Sequence, residues 1–395
     1  MTLHSPQLLS ACLALSVAGF ISRGLSEVDG VSVSRILGHL QSSGFELLRT
    51  TLQSGHMDET LLATCLIWCL TDVFAYSQGV SSWRVHLQGI RAILGRDETW
   101  QRFVKGSGAT QSAMRHLYFL YLSLQTLPHI PSLDISQPST TRSPMASRGF
   151  EEVSDTGPNI DGFLGYSQEL LQVLRHVNQL SHYDGKGAAN SLSESDVLFG
   201  KVKGMIIRDC KAPLDVSICS SLSPECGREF LLCHKTFQQA TLIHIYRRLY
   251  HMSSGSEPIQ AAVESIKDMI SDMVQGQPCH TWVAMAMPLF TIGCEAFTEE
   301  QKGYVLDKVQ KLEECIGSLH VRIIRKALED MWEARANLGD IEGKLCASHL
   351  LGKPSFSSPR FRTSVLKADE SLYIRRIALQ HYSLLSICVN STKKK

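Results

Sequence analysis

Apolar residues recur at helical spacing along most of the chain, and alternation of the kind that marks a half-buried strand does not rise above noise. Leu8 to Ile21 (LLSACLALSVAGFI) is a short apolar run that reads as a buried first helix. It has the size of a signal-peptide core, but no Lys or Arg precedes it, and it is too short to span a bilayer. Val33 to Gln53 is amphipathic and breaks at Gly55. Asp58 is placed to cap the helix that follows, with Glu59 favourable in its first turn. In that helix Leu61, Leu62, Cys65, Leu66, Trp68, Cys69, Leu70, Val73 and Phe74 leave little polar face, so it belongs deep in a bundle. Ser81 or Ser82 can cap the next one, in which Trp83, Leu87, Ile90 and Leu94 share a face. Ala113 to Leu127 is a further apolar helix, stopped near Pro128 and Pro131.

The second half continues in the same period. Asp161 to His182 and Glu229 to His251 read as helices, the latter with Leu242, Ile245, Tyr246, Leu249 and Tyr250 as its apolar stripe. Pro258 sits in the first turn of a helix opened by Glu257. Trp282 to Phe297, Glu299 to Ile316 and Leu319 to Leu338 follow with short connections. Two segments, near 128–160 and 183–195, lose the periodicity and are rich in loop residues, so loose connections are expected there. The expected fold class is all-α, a multi-helix bundle of stacked antiparallel helix pairs. One helical domain over residues 1–340 is expected, followed by a poorly ordered or atypical tail, 341–395.

Composition adds little and excludes something. The 395 residues are 44% hydrophobic and 19% charged, ordinary for a globular chain, and the formal net charge is +1. That balance offers no overall basic face for nucleic acid. The 12 cysteines are scattered, with no disulfide-type framework. Cys65, Cys69, Cys294 and Cys315 lie in apolar runs and read as small core residues of a reducing compartment.

The motifs that carry chemistry are absent. There is no CxxC pair, no GxxxxGK[ST], no GxGxxG after a strand, no GxSxG and no HExxH. Cys210, Cys219, Cys226, Cys233 and His234 form the densest group of metal-ligand types. A mononuclear zinc site there is conceivable, but the spacings match no common zinc motif, and small core and loop cysteines are preferred. His86, His116 and His244 sit on helical stripes and read as satisfied buried or boundary histidines. Arg247-Arg248 could meet an anion, though a solvated helix face is preferred. Asp268 and Asp272 share a face but lack the adjacent carboxylates of a magnesium-diphosphate site. No catalytic, cofactor-binding or metal-ligating residue is assigned, no cofactor is expected, and the protein is read as not an enzyme.

Five short motifs, in order, carry a resemblance. They are His4-Ser-Pro-Gln-Leu-Leu; Trp83, His86, Leu87 and Gly89 as Trp-x-x-His-Leu-x-Gly; Gly165-Tyr-Ser-Gln-Glu-Leu-Leu; Ala240 to Leu249; and Gly293 to Ala296 as Gly-x-Glu-Ala. Together they resemble the fungal-specific transcription factor domain, the regulatory region C-terminal to a binuclear zinc-cluster DNA-binding module. The match runs from about Ser5 to Trp332. All five read physically as packing elements, with Trp83 a core anchor and Gly89 a site of close helix approach.

The resemblance implies a helical regulatory domain associated with nuclear transcription control. The six-cysteine module is not in this sequence, so direct sequence-specific DNA binding is not expected. Both ends are read as cut, through natural reduction or through a lost N-terminal exon and a spurious tail. Partners expected on this reading are a homodimer mate or a full-length zinc-cluster regulator, with a small-molecule effector as a further input and no membrane. The genes controlled would be those of a metabolic cluster. The location is the nucleus, with the cytoplasm as alternative. A second functional class stays open: an all-helical small-molecule-binding protein or enzyme on the same scaffold.

Overall fold

A computed structural model of the chain describes residues 5–55, 58–75, 83–95, 108–125, 159–162, 164–181, 188–212, 216, 223–275, 280–316, 319–340 and 343–344. The architecture is all-α, as the periodicity indicates, with two very short antiparallel strand pairs among the described residues. The chain divides into two compact units, one drawn mainly from Met1–Gln125 and the other mainly from Gly157–Ile316 and His320–Lys395. The segment 128–158 and the tail beyond Lys344 lie outside the described residues.

In the first unit α1 (Pro6–Ser22) packs against both α2 (Val33–Gln53) and α3 (Glu59–Ala75). Ser5 starts α1, its hydroxyl accepting from the Leu8 N–H at 3.3 Å. Leu8, Ala11, Ala14, Leu15 and Ala18 are buried, and the small alanines let the helix axes come close. The same need appears at Gly44 on α2. A Cβ there would collide with the Trp68 ring of α3 and lie 2.7 Å from Ser10 Oγ of α1. Trp68 itself is fully buried and packs 4.6 Å, centroid to centroid, from Phe45. Gly55, at φ +72°, ends the chain path after α2. Asp58 caps α3 as its position suggested, accepting from Leu61 N–H at 2.8 Å. α4 (Trp83–Leu94) and α5 (Gly108–Gln125) complete the unit against α3. Between α1 and α2, β1 (Glu27–Val28) and β2 (Val31–Ser32) pair Val28 with Val31 around an Asp29-Gly30 turn, both residues at positive φ.

In the second unit α8 (Pro224–Arg248) is the hub. α6 (Gln168–Leu180), α7 (Ala188–Lys211), α9 (Glu257–Ser271), α10 (His280–Ala284) and α11 (Ala286–Cys294) all pack on it. Phe237, Ala240 and Ile245 of α8 are fully buried. α12 (Glu299–Ile316) lies on α11, and α13 (Leu319–Leu338) follows. Both have the bounds that their periodicity gives.

Three expectations are corrected. Residues 160–167 do not begin a helix: β3 (Ile160–Asp161) and β4 (Tyr166–Ser167) form a hairpin, turned at Gly165 with φ +74°. Residues 188–195 do not belong to a loose connection, because α7 begins at Ala188. Trp282 to Phe297 is not one helix. It divides into α10 and α11, because Pro288 has no N–H to give the carbonyl four residues back and its ring crowds that carbonyl.

Candidate functional site

Hydrophobic packing alone does not account for the interior of the second unit, which holds two connected polar arrays. The first is centred on His234 of α8, which has no solvent exposure. Ser167 caps α6 through its hydroxyl, and its backbone N–H donates to His234 Nδ1 at 3.3 Å. Nδ1 is therefore an acceptor, and Nε2 carries the ring proton, directed at Asp209 Oδ2 at 3.0 Å. The Gln238 amide, one turn on, donates to the same oxygen at 2.6 Å. Arg208 Nε donates to Asp209 Oδ1 at 2.7 Å, and its Nη1 reaches Glu169 Oε2 at 2.9 Å. Burial works to raise the Asp209 carboxyl, but the hydrogen bonds from His234 and Arg208 and the Arg208 charge hold it below the ordinary aspartate value.

A histidine–aspartate pair of this kind could orient a general base if one ring nitrogen faced a cavity. Here both nitrogens are engaged, one by the backbone of the α6 cap and one by Asp209. The array joins the hairpin, α6, α7 and α8. Its chemistry is that of a fastener, and His234 has no lone pair left for a metal.

The second array surrounds Glu295. Arg247 Nε of α8 lies 3.0 Å from Glu295 Oε2, with both side chains buried. Ser254 Oγ donates to Glu295 Oε2 at 2.5 Å, and the Gln260 amide donates to the Ser254 and Glu295 carbonyls at 2.7 and 3.1 Å. Gln301 of α12 extends the array to Gln260 and Glu264, at 2.8 and 3.2 Å. Gly343, at φ +60°, accepts from Ser254 N–H at 3.0 Å and has no room for a Cβ beside Phe297 and Ser254.

Glu295 belongs to the Gly-x-Glu-Ala element, so each member of that motif now has a physical task. Gly293 lets Leu328 approach, since a Cβ would stand 2.7 Å from its Cδ1. Glu295 holds Arg247, and Ala296 is buried. The last carbonyls of α11 are taken up from α13: Trp332 Nε1 donates to Gly293 O at 2.9 Å and Arg335 Nη1 to Cys294 O at 2.5 Å.

Other motif residues fall into place or need correction. Tyr166 is buried and stacks on Phe237 at 4.6 Å. His86 pairs with Asp72 of α3 at 3.0 Å, as a boundary histidine should. His244 contacts Thr291 Oγ1 at 3.3 Å, and burial, with Arg248 adding, pushes its imidazole down to about 3. Gly89 is exposed and nothing lies within 4 Å of its missing Cβ, so it is not where helices meet; Gly44 and Gly293 are. Trp83 starts α4, but its side chain lies outside the described residues. The solvated face read for Arg247-Arg248 is also wrong. Arg247 is buried against Glu295, and Arg248 bonds Asn178 and Ser181 at the end of α6, the latter at 2.6 Å. Sequence order could have suggested neither array, because their members meet only through helix packing.

Among the described residues no three of His, Cys, Asp and Glu are grouped as metal ligands would be. Cys233 is buried, while Cys210 and Cys226 are exposed. Cys65, Cys69 and Cys294 are buried; burial pushes the Cys65 thiol up to about 12 and that of Cys69 well above its ordinary value, which makes both poor nucleophiles.

A family model described as the fungal specific transcription factor domain matches residues 1–349, past the point near Trp332 where the resemblance read from the sequence ends. No curated protein and no solved structure matches the chain.

Proposed function

Because this chain belongs to the fungal specific transcription factor domain family, we propose that it is a transcriptional regulator that acts in the nucleus through a protein partner. The partner is a second copy or a full-length relative bearing a zinc cluster, a small-molecule effector is the further input, and the targets are genes of a metabolic cluster. The observation that carries the reading is the family match over residues 1–349. The interior supports it: the motif residues Ser167, Arg247, Gly293 and Glu295 hold helices to one another. The sequence contains no six-cysteine module, and with a net charge of +1 no segment concentrates the cations that position phosphates or a helix that reads base edges. The chain does no chemistry of its own and reaches promoters on its partner. No described helix is long and apolar enough to cross a membrane.

Two measurements test this. The full chain, fused to a heterologous DNA-binding module, should change transcription of a reporter carrying that module's site, and the tagged chain should accumulate in nuclei. A silent reporter together with exclusion from nuclei would overturn the reading. The purified chain alone should not shift promoter DNA in the presence of competitor at physiological salt. Tight, competitor-resistant binding would overturn the partner requirement.

A further inference from the structure

α7 presents two faces of different character. Its buried side is Leu198, Val202, Met205 and Asp209, all under 10% exposed, spaced four, three and four apart. Its outer side is Val197, Gly200, Gly204 and Ile207, spaced three, four and three apart on one stripe. Val197 and Ile207 are 54% and 56% exposed, among the most exposed large apolar side chains described. Gly200 and Gly204 lie between them, and nothing stands within 4 Å of a Cβ at either one.

Two glycines in the interior of a helix each destabilise it relative to alanine. Gly44 and Gly293 repay that cost through a close neighbour; Gly200 and Gly204 have none among the described residues. What they leave is a shallow notch between two apolar ridges, shaped for a second helix at close range.

Charge says which helix. Glu194 and Asp196, both exposed, stand at the N-terminal end of the stripe, and exposed Lys201, Lys203 and Lys211 occupy its middle and C-terminal end. A copy of α7 laid antiparallel about its centre places Val197 against Ile207, Gly200 against Gly204, and the acidic end against Lys211, with Lys201 and Lys203 of the two copies meeting beside the notch as the one like-charge contact. It also opposes the helix dipoles. A parallel copy would set like charges side by side. We infer that the outer face of α7, notched at Gly200 and Gly204, is a self-association surface on which a second copy of this chain docks its own α7 antiparallel.

The inference deepens the partner reading above by naming the partner, and rests on that reading for its biological role. Its test involves neither DNA nor a reporter, so a failure here and a failure of the regulator are separate results. Sedimentation velocity of the full chain over a concentration series should show a reversible dimer. Gly204→Leu should raise the dissociation constant by about tenfold or more, because bulk in a close contact is not absorbed. The same change should leave the thermal midpoint of the monomer unchanged or higher, since leucine favours helix and the Cβ position is open. Gly204→Ala, adding a single methyl, should move both readouts in the same directions by less. Lys211→Glu should weaken the dimer, and Glu194→Lys added to it should restore it. A wild-type chain that stays monomeric throughout, or a dimer indifferent to Gly204→Leu, would overturn the surface. Failure of the second charge reversal to restore association would overturn the antiparallel arrangement.

Discussion

Single residues in this protein show their worth where polarity is buried. Glu295 and Arg247 are 6% and 4% exposed and 3.0 Å apart. Glu295→Ala strands the guanidinium and should cost about 3–5 kcal/mol in chemical denaturation. Replacing both partners by apolar residues of similar volume should cost much less, and an equal loss in the two variants would show that the pair acts independently of its charges. His244 makes a pH signature. Its folded imidazole protonates only near pH 3, while in the unfolded chain the ordinary value is 6.5. Above that value both forms are neutral and nothing is gained or lost. As pH falls below it, the unfolded chain takes up a proton that the folded one refuses, and stability declines by at most about 1.4 kcal/mol per pH unit. His244→Gln should flatten the stability profile between about pH 6.5 and about pH 5; a slope identical to wild type would place the titration elsewhere. Asp209 acts in a lower window. Its depressed folded value means that its contribution is present above the ordinary aspartate value of 3.8 and is lost as pH falls further.

At the scale of elements, the cap at Ser167 is the sharpest test of how local chemistry sets a helix. Its hydroxyl accepts from Leu170 N–H at 3.3 Å while its own N–H is held by His234. Ser167→Ala removes only the first bond and should lower stability by about 1 kcal/mol, read as a shift in urea midpoint. Ser167→Asp should recover most of it, and no recovery would assign the loss to packing. Helices were legible where an apolar stripe ran unbroken between short connections, as in α2, α12 and α13. α7 was not, although Leu198, Val202, Met205 and Asp209 lie at helical spacing, because Ser191 and Ser193 fall in the segment read as loose and Gly200 and Gly204 interrupt the residues that follow. Ser193, Gly200 and Gly204 lie on the exposed side of the helix. The β3–β4 hairpin was taken for helix because its apolar residues continue into α6, and only the positive φ at Gly165 separates them. Asp29-Gly30 carried a hairpin signal of its own, overlooked because its strands are two residues long. Of the polar arrays, the sequence revealed the residues and not their meeting. Arg247 lies 48 positions from Glu295, and His234 lies 25 from Asp209, and no periodicity joins such partners.

At the scale of the molecule, each unit has its own close-packed seam, Gly44 against Trp68 in the first and Gly293 against Leu328 in the second. Calorimetric unfolding should therefore depart from a single two-state transition. Gly44→Val should displace the part of the endotherm belonging to the first unit, and Gly293→Val the part belonging to the second. One sharp transition that both variants shift equally would mean that the units unfold as one.

The bonds from Trp332 and Arg335 to the end carbonyls of α11 have a temporal side. A chain is made from its N-terminus, and domains tend to fold in that order during synthesis. The first unit is almost complete in sequence by Gln125, whereas α11 waits for α13 before Arg335 meets its Cys294 carbonyl and Trp332 adds to the backbone bond at Gly293. Through that interval the nascent second unit shows an open helix end and the apolar pocket that Leu328 will fill. A stop codon shortly before Leu328 would make this condition permanent. It would release a product with most of its helices and no closing piece, a substrate for chaperones and proteases rather than a shortened regulator.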